Sequence, residues 1–221
     1  MIDSILDIHG NIYKTTKIGD QEWMTENLRV TKYNNGDPIN IAIDRYRCEI
    51  GIFNQIETVA ITKEIESKKL ENGFYYNSLC ISERNDIAPK GWRIPSKDDW
   101  ERLIEFCGGK EIAAERLKSE KGWKREINQP STYKFKKKPV FGGNNQSGFN
   151  AIGSGKIFIG IENVIDLDMY GHWWYLDKKC EEFSDFGRVL MNYINHSIAI
   201  SEYIKYRDED YLPIRCVKIN D

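Results

Sequence analysis

A chain of 221 residues is long enough to form one large domain with a sizeable core, so it needs neither disulfides nor a metal to fold. Hydrophobic residues make up 40% and charged residues 30% of the chain, which is the ordinary balance of a globular protein. The net charge of −2 disfavours a general affinity for nucleic acid, and the lack of an apolar run of about 18 residues disfavours membrane insertion.

The first third of the chain predicts short strands separated by turns. Residues 10–23 are typical of a turn, a strand, a second turn and an aromatic anchor at Trp23. One helical turn is expected at 24–30. The sequence Asn-Asn-Gly-Asp-Pro at 34–38 favours a turn, because Asn and Gly tolerate positive φ and Pro fixes the exit. Residues 41–72 give no clear signal: only 58–73 show weak helical periodicity, at Ile61, Ile65 and Leu70, with a possible helix C-cap at Gly73.

The clearest helix signal follows the segment Gly-Trp-Arg-Ile-Pro. Ser96 stands at an N-cap position and Asp99 three residues on, which predicts a capping box. Apolar residues then recur with helical spacing, and Gly108 and Gly109 end the helix. A second amphipathic helix is expected at 110–119. Because helix initiation explains both aspartates in the first turn, we assign structural rather than catalytic roles to this segment and to other anchors of the frame: Trp23, Trp92, Pro95, Ser96, Asp99, Trp100 and Cys216.

After residue 120 the pattern changes to loops and strands. Residues 141–160 are rich in Gly and Asn and then alternate into a strand, and 171–177 form a short aromatic strand. Two further alternating runs predict an antiparallel meander, and 212–219 a last strand with Ile214 and Cys216 on one face. We find no linker and no repeat, so the sequence predicts one α+β domain over residues 1–221.

The aromatic strand and the Asn-rich loop supply the candidate binding residues. Trp173 and Trp174 should point to opposite faces of their strand, which predicts one core side chain and one exposed platform for a sugar or a protein. The alternative is that both are packed. The full candidate set comprises Tyr170, Trp173, Trp174, Tyr175, Asp177, Asn144 and Asn145.

The cysteines and the first residues bear on compartment. The five cysteines are odd in number and widely spaced, which predicts reduced, packed thiols, with one disulfide as the alternative. The first eleven residues lack the basic and apolar regions of a signal peptide. We therefore expect a cytoplasmic protein, or a cell-surface or secreted one if a leader was trimmed.

Several motifs now carry a resemblance to a known family. They occur in the following order: IGDQEWMTENLRVTKYNNGDPI, GFYYNS, APKGWRIPSKDDWERL, SGFNAIGSG, GHWW and IRCVK. From about residue 7 to 219 the chain resembles the Fibrobacter succinogenes major paralogous domain, which is similar to the C-type-lectin-like fold. The resemblance implies two main helices, short antiparallel sheets, long irregular loops and paired first and last strands. It places the first helix near 22–28 or 73–84, and it implies a bacterial binding module of unspecified ligand.

The chain departs from that family at three places. Ala88 stands where the family often has a cysteine, whose implied disulfide partner would be Cys216, so Cys216 is expected to be a free thiol. Residues 39–72 look like a divergent insertion. The motif GHWW continues as Tyr-Leu-Asp instead of a Ser/Thr-rich segment. The missing cysteine weakens an extracellular assignment.

Metal, catalytic and nucleic-acid functions find little support. Calcium needs several converging oxygens, and Asp166 and Asp168 supply only two carboxylates without the lectin signatures, so no metal and no cofactor are expected. The formylglycine-generating oxidases share the implied fold, but they need a close pair of cysteines. A Cys–His nucleophile would require His9, His172 or His196. The lysine run at 134–138 is more typical of a solvated loop than of a phosphate-binding site.

These observations favour a non-catalytic recognition module whose partner is an unknown protein or glycan. The alternative is a structural or assembly component in which aromatic patches hold subunits together. An oxidase related to the formylglycine-generating enzymes comes third.

Overall fold

The computed structural model describes residues 3–61, 72–81, 86–123, 142–160, 164–176, 183–192, 197–204 and 210–219. Within these ranges the chain forms an α+β structure dominated by strands, as predicted. The three helices are α1 (Arg45–Phe53), α2 (Lys97–Phe106) and α3 (Ala113–Leu117). The strands are β1 (Asp3–Leu6), β2 (Ile12–Ile18), β3 (Gln21–Met24), β4 (Asn40–Ala42), β5 (Thr58–Ala60), β6 (Tyr75–Tyr76), β7 (Trp92–Arg93), β8 (Ile157–Phe158), β9 (Tyr170–Leu176), β10 (Phe183–Asn192), β11 (Ile198–Ile204), β12 (Asp210–Tyr211) and β13 (Val217–Lys218).

The largest sheet joins the two ends of the described chain. Its order is β1-β2-β3-β13-β7. The strand and turn predicted in 10–23 are part of a hairpin of β2 and β3, whose turn uses Gly19 at a φ of +64°, and the expected anchor Trp23 lies in β3. The pairing implied by the family resemblance is wrong in one respect, because β13 pairs with β3 and β7 and not with β1. The β2–β3 hairpin separates the first strand from the last, since Trp23 of β3 lies opposite Val217 of β13.

The insertion at 39–72 contains structure that the periodicity did not predict. It contributes β4, α1 and β5, and the sheet order there is β4-β5-β6. Asp44 caps α1 by accepting a hydrogen bond from the backbone N–H of Arg47. The sequence signal was weak because only Cys48 and Gly51 of this helix are buried.

The helix expected at 24–30 does not form. The Leu28 N–H donates to the carbonyl of Ile214, and the Leu28 carbonyl accepts from the Phe74 N–H, so tertiary hydrogen bonds replace helical ones. The resemblance placed the first helix at 22–28 or 73–84. The first location is wrong, and in the second the described residues 73–81 contain a 3-10 turn at Ser78–Ile81.

Helix α2 begins where the capping box predicted it. The Ser96 hydroxyl accepts from the Asp99 N–H, and the Asp99 carboxylate accepts from the Ser96 N–H. Pro95 beside the cap is buried. Helix α3 is shorter than the predicted 110–119, because Gly109 and the turn after it delay its start to Ala113. No helix in the described ranges has the length and apolarity that a bilayer crossing requires.

Two hydrophobic cores flank strand β9. Strands β9, β10 and β11 form the predicted antiparallel meander. Trp174 packs in the first core with Tyr76 and Cys216, and Trp173 packs in the second core with Trp23 and Trp100. The two tryptophans point to opposite faces as alternation predicts, and each face meets a core.

Candidate functional site

The tryptophans of β9 do not form a ligand platform. Trp173 and Trp174 are fully buried, and Tyr175 is 1% exposed. The Trp174 Nε1–H donates to the Tyr76 carbonyl at 2.7 Å. The expectation of one exposed tryptophan is therefore wrong, because a strand between two cores buries both of its faces. Tyr170, at the start of β9, is half-buried and lies against the His172 ring.

The carboxylate of Asp99 is the centre of a buried ion-pair cluster. It accepts hydrogen bonds from Arg93 at 2.5 and 3.0 Å and from Arg102 at 3.0 Å, and the side chain is only 2% exposed. Burial alone would raise the pKa of Asp99, but the hydrogen bonds from Arg93 and Ser96 outweigh it and hold the pKa well below the usual range. A carboxylate locked in its charged form suits helix anchoring better than proton transfer.

The described cysteines are buried free thiols. They are Cys48, Cys80, Cys107 and Cys216. Burial raises the pKa of Cys48 and Cys80 to about 12 and that of Cys107 to about 11, which disfavours the nucleophilic thiolate. The ring nitrogens of His172 have no hydrogen-bond partner in the described part of the chain. Burial, together with the nearby positive charges of Arg188 and Lys156, lowers the pKa of His172 to about 3, so the imidazole is neutral.

We expect at most one of the five thiols, that of Cys180 outside the described residues, to react with Ellman's reagent in the native protein. The other four are enclosed and their pKa values are raised. Absorbance at pH 8 before and after unfolding in guanidinium measures the count. Rapid reaction of two or more thiols in the native state would instead support the hypothesis of an oxidase related to the formylglycine-generating enzymes.

A polar pocket of about 640 Å³ lies between the second core and the loops that follow α3. Its walls come from six separate segments of the chain. They contribute carboxylate, amide, hydroxyl and cationic groups at Thr25, Glu26, Asn72, Ser119, Glu120, Lys121, Asn145, Asn150, Asp168 and Arg215, with Gly122, Ile152 and Gly153 between them. Converging polar groups in a concave site are the usual features of a ligand pocket.

The backbone at this pocket is conformationally unusual. Five non-glycine residues in the described ranges have positive φ, and three of them, Asn145, Asn150 and Asp168, line the pocket. Asn and Asp adopt this conformation more readily than other residues. The Asn145 Oδ1 accepts from the Asn150 N–H at 2.8 Å, which holds the loop in place. Unusual backbone concentrates at functional sites, so this observation favours the pocket as the candidate site.

Arg215 forms the floor of the pocket and is 1% exposed. Its Nε and Nη2 donate to Asn27 Oδ1 at 3.0 and 2.9 Å, and its Nη1 donates to the Phe149 carbonyl at 2.6 Å. The guanidinium carbon lies 4.5 Å from the Phe149 ring centre and 5.5 Å from that of Trp173. Asn27 Oδ1 also accepts from Trp173 Nε1 at 2.8 Å, so one amide oxygen aligns both groups.

The charge of Arg215 is incompletely neutralised. Burial lowers its pKa to about 9, against a smaller opposing effect of Glu26, so the guanidinium is still positive at pH 7. None of the described carboxylates forms an ion pair with it. Glu26, which acts on it from a distance, pairs with Arg29 at 3.5 Å. Hydrogen bonds to a charged group contribute about 1.5–3 kcal/mol each and cation–π contacts up to about 2, which offsets part of the cost of burial.

The sequence predicted only part of this site. Asn145 lines the pocket, whereas Asn144 is exposed beside it and donates to Glu115. Asp168 was considered only together with Asp166, as a pair of carboxylates too few to bind calcium; both residues have positive φ in the segment before β9. Arg215 was missed because alternation placed it on a strand face without indicating what covers that face. Asp177 and the lysine run at 134–138 lie outside the described residues.

No group of three His, Cys, Asp or Glu side chains in the described ranges is arranged to hold a metal ion. No curated protein and no solved structure matches the chain significantly. The sequence model of the Fibrobacter succinogenes major domain matches residues 16–218, which include every lining residue of the pocket and all of the second hydrophobic core. The chain therefore belongs to the Fibrobacter succinogenes major domain family.

Proposed function

We propose that this protein is a non-catalytic recognition module on a C-type-lectin-like scaffold, and that the pocket above Arg215 binds a glycan. The observation that carries the proposal is the convergence of carboxylate, amide and hydroxyl groups from separate segments of the chain on one concave surface. Sugar hydroxyls both donate and accept hydrogen bonds, so a lining with both kinds of group suits them. The binding residues proposed here replace the buried tryptophans of β9.

The chemistry of the buried residues supports recognition over catalysis. Asp99 is held ionised within its arginine cluster, the described thiols have raised pKa values, and His172 is enclosed. None of these groups lines the pocket. A catalytic site would need an acid, base or nucleophile whose pKa suits the reaction and which reaches the substrate.

We expect Asp168→Asn to weaken glycan binding at least tenfold. Asparagine tolerates the positive φ of this position, so the change removes a charged acceptor without straining the turn. A glycan array would find the ligand, and isothermal titration calorimetry would then compare the proteins.

Asp166→Asn is the matched control for this experiment. Asp166 has the same φ of 62° in the same turn but does not line the pocket, so its substitution should change the affinity less than twofold. Equal losses in the two variants, or no binding across a broad panel of saccharides, would contradict the proposal.

A structural or assembly role is the second candidate. It is favoured by exposed apolar side chains in and before α1, where Tyr46 is 70% and Phe53 72% exposed, with Ile41 and Ile43 close by in the chain. Exposed apolar residues that cluster are typical of contact surfaces. These residues lie in the insertion, apart from the pocket lining, so the two roles are compatible.

A further inference from the structure

The choice of ligand depends on the floor of the pocket, and this assignment rests on the proposed function. We propose that Arg215 binds a single carboxylate of the ligand, so that the protein recognises an acidic sugar of the uronic acid class. Arg215 is a buried cation that lines the pocket and has no ion-pair partner among the described residues.

The guanidinium retains unused donor capacity. Arginine has five N–H groups, and three hydrogen bonds hold this one to Asn27 and to the Phe149 carbonyl. Two N–H groups therefore have no acceptor in the described part of the chain. A carboxylate that enters from the pocket would accept hydrogen bonds from both groups and neutralise the charge, in the bidentate arrangement that arginine favours.

The group is already oriented for this role. Asn27 Oδ1 fixes the Nε edge of the guanidinium, and Phe149 and Trp173 hold its plane through ring contacts. A preorganised donor loses little side-chain freedom when the ligand binds. Because the Arg215 side chain is buried, its attraction for an opposite charge is stronger than that of an arginine at the protein surface.

The carboxylates that line the pocket restrict the ligand to one negative charge near Arg215. Glu26, Glu120 and Asp168 line the pocket, whereas Lys121 is its only other cation among the described lining residues. Repulsion from the three carboxylates disfavours phosphorylated, sulfated or polyacidic groups. The carboxylate oxygens accept hydrogen bonds from neutral hydroxyls. A sugar with one carboxylate and several hydroxyls fits both features, whereas an acidic peptide offers carboxylates without the hydroxyls.

The test compares two ligands on the unaltered protein. The probes are a glucuronic-acid-containing disaccharide and the same disaccharide with its carboxylate reduced to an alcohol, measured by isothermal titration calorimetry. We expect the acid to bind at least tenfold more tightly. A difference below twofold, with both sugars bound, would overturn the role of Arg215 and leave glycan recognition standing. Absence of binding by these sugars and by every sugar of the glycan array would overturn both proposals.

Arg215→Lys separates ligand binding from packing. Lysine keeps the positive charge but lacks the planar fork, so the preference for the acid should fall to threefold or less while the reduced disaccharide binds as before. Thermal unfolding identifies a variant that fails to fold, in which case the comparison of the two ligands decides alone. An undiminished acid preference in a folded variant would overturn the proposal. Arg215-dependent binding of a Glu-rich peptide, without binding of the acidic sugar, would also overturn it.

Discussion

Replacing Trp100 by alanine is expected to lower the free energy of unfolding by about 3–5 kcal/mol. Trp100 is fully buried in the second core. Its ring centre lies 5.0 Å from that of Trp23, 5.6 Å from that of Phe149 and 5.9 Å from that of Trp173. Truncation would remove these contacts and leave a cavity among three rigid rings that cannot close around it.

The measurement is urea unfolding followed by circular dichroism, because the substitution removes a fluorophore. Phe106→Ala is the control, since Phe106 is an aromatic residue of the same helix but is 63% exposed. We expect its loss to cost less than about 1 kcal/mol. Similar costs for the two variants would contradict the assignment of Trp100 to the core.

Asp99→Asn is expected to destabilise the protein by about 2–4 kcal/mol at pH 7. The substitution preserves the side-chain volume and removes the negative charge that Arg93 and Arg102 share. It also weakens the capping box at the start of α2. Arg93 and Arg102 are 41% and 48% exposed, so water would hydrate them partly and keep the loss below that of a fully buried pair.

This effect should depend on pH in a defined direction. The folded-state pKa of Asp99 is lowered, so the ionised group stabilises the fold at pH values above its unfolded pKa of about 3.9. As the pH falls below that value, Asp99 binds a proton in the unfolded chain but stays ionised in the folded state. The stabilisation is therefore lost progressively. The difference in the free energy of unfolding between wild type and Asp99→Asn should therefore decrease by about 1 kcal/mol from pH 7 to pH 3.

Asp98→Asn provides the matched control for that titration. Asp98 is the other carboxylate of the first helical turn and is exposed. Its interaction with the helix dipole is worth about 0.3–1 kcal/mol, so the variant should stay close to wild type at pH 7. A constant difference between Asp99→Asn and wild type from pH 7 to pH 3 would show that the charge of Asp99 is not the stabilising feature.

Local signals in the sequence succeeded where a few neighbouring residues decide the structure. The capping box of Ser96 and Asp99 predicted the start of α2, and the motif at 34–38 predicted the turn that contains Gly36. Alternation along β9 correctly predicted that Trp173 and Trp174 lie on opposite faces. Helix α1 escaped prediction because its buried face is only Cys48 and Gly51, which leaves almost no periodic pattern to read.

Predictions failed where a distant segment changes the environment of a residue. The chain at 24–30 is extended because Leu28 bonds to Ile214 and Phe74. Trp174 is buried because the first core, which includes Leu212 and Ile214, covers its face of β9. In both cases the deciding partner lies far along the sequence, where no local pattern can indicate it.

The sequence by itself determined the family, the α+β class, the capped helix α2 and the β9–β11 meander, because those features depend on spacing, capping and alternation within short stretches. Only the tertiary structure decided the candidate site. Arg215 lies 188 residues from the Asn27 that orients it, and the pocket above it is lined by six separate segments of the chain. Burial and charge balance at such a site depend on which distant residues meet, and that is fixed only when the chain folds.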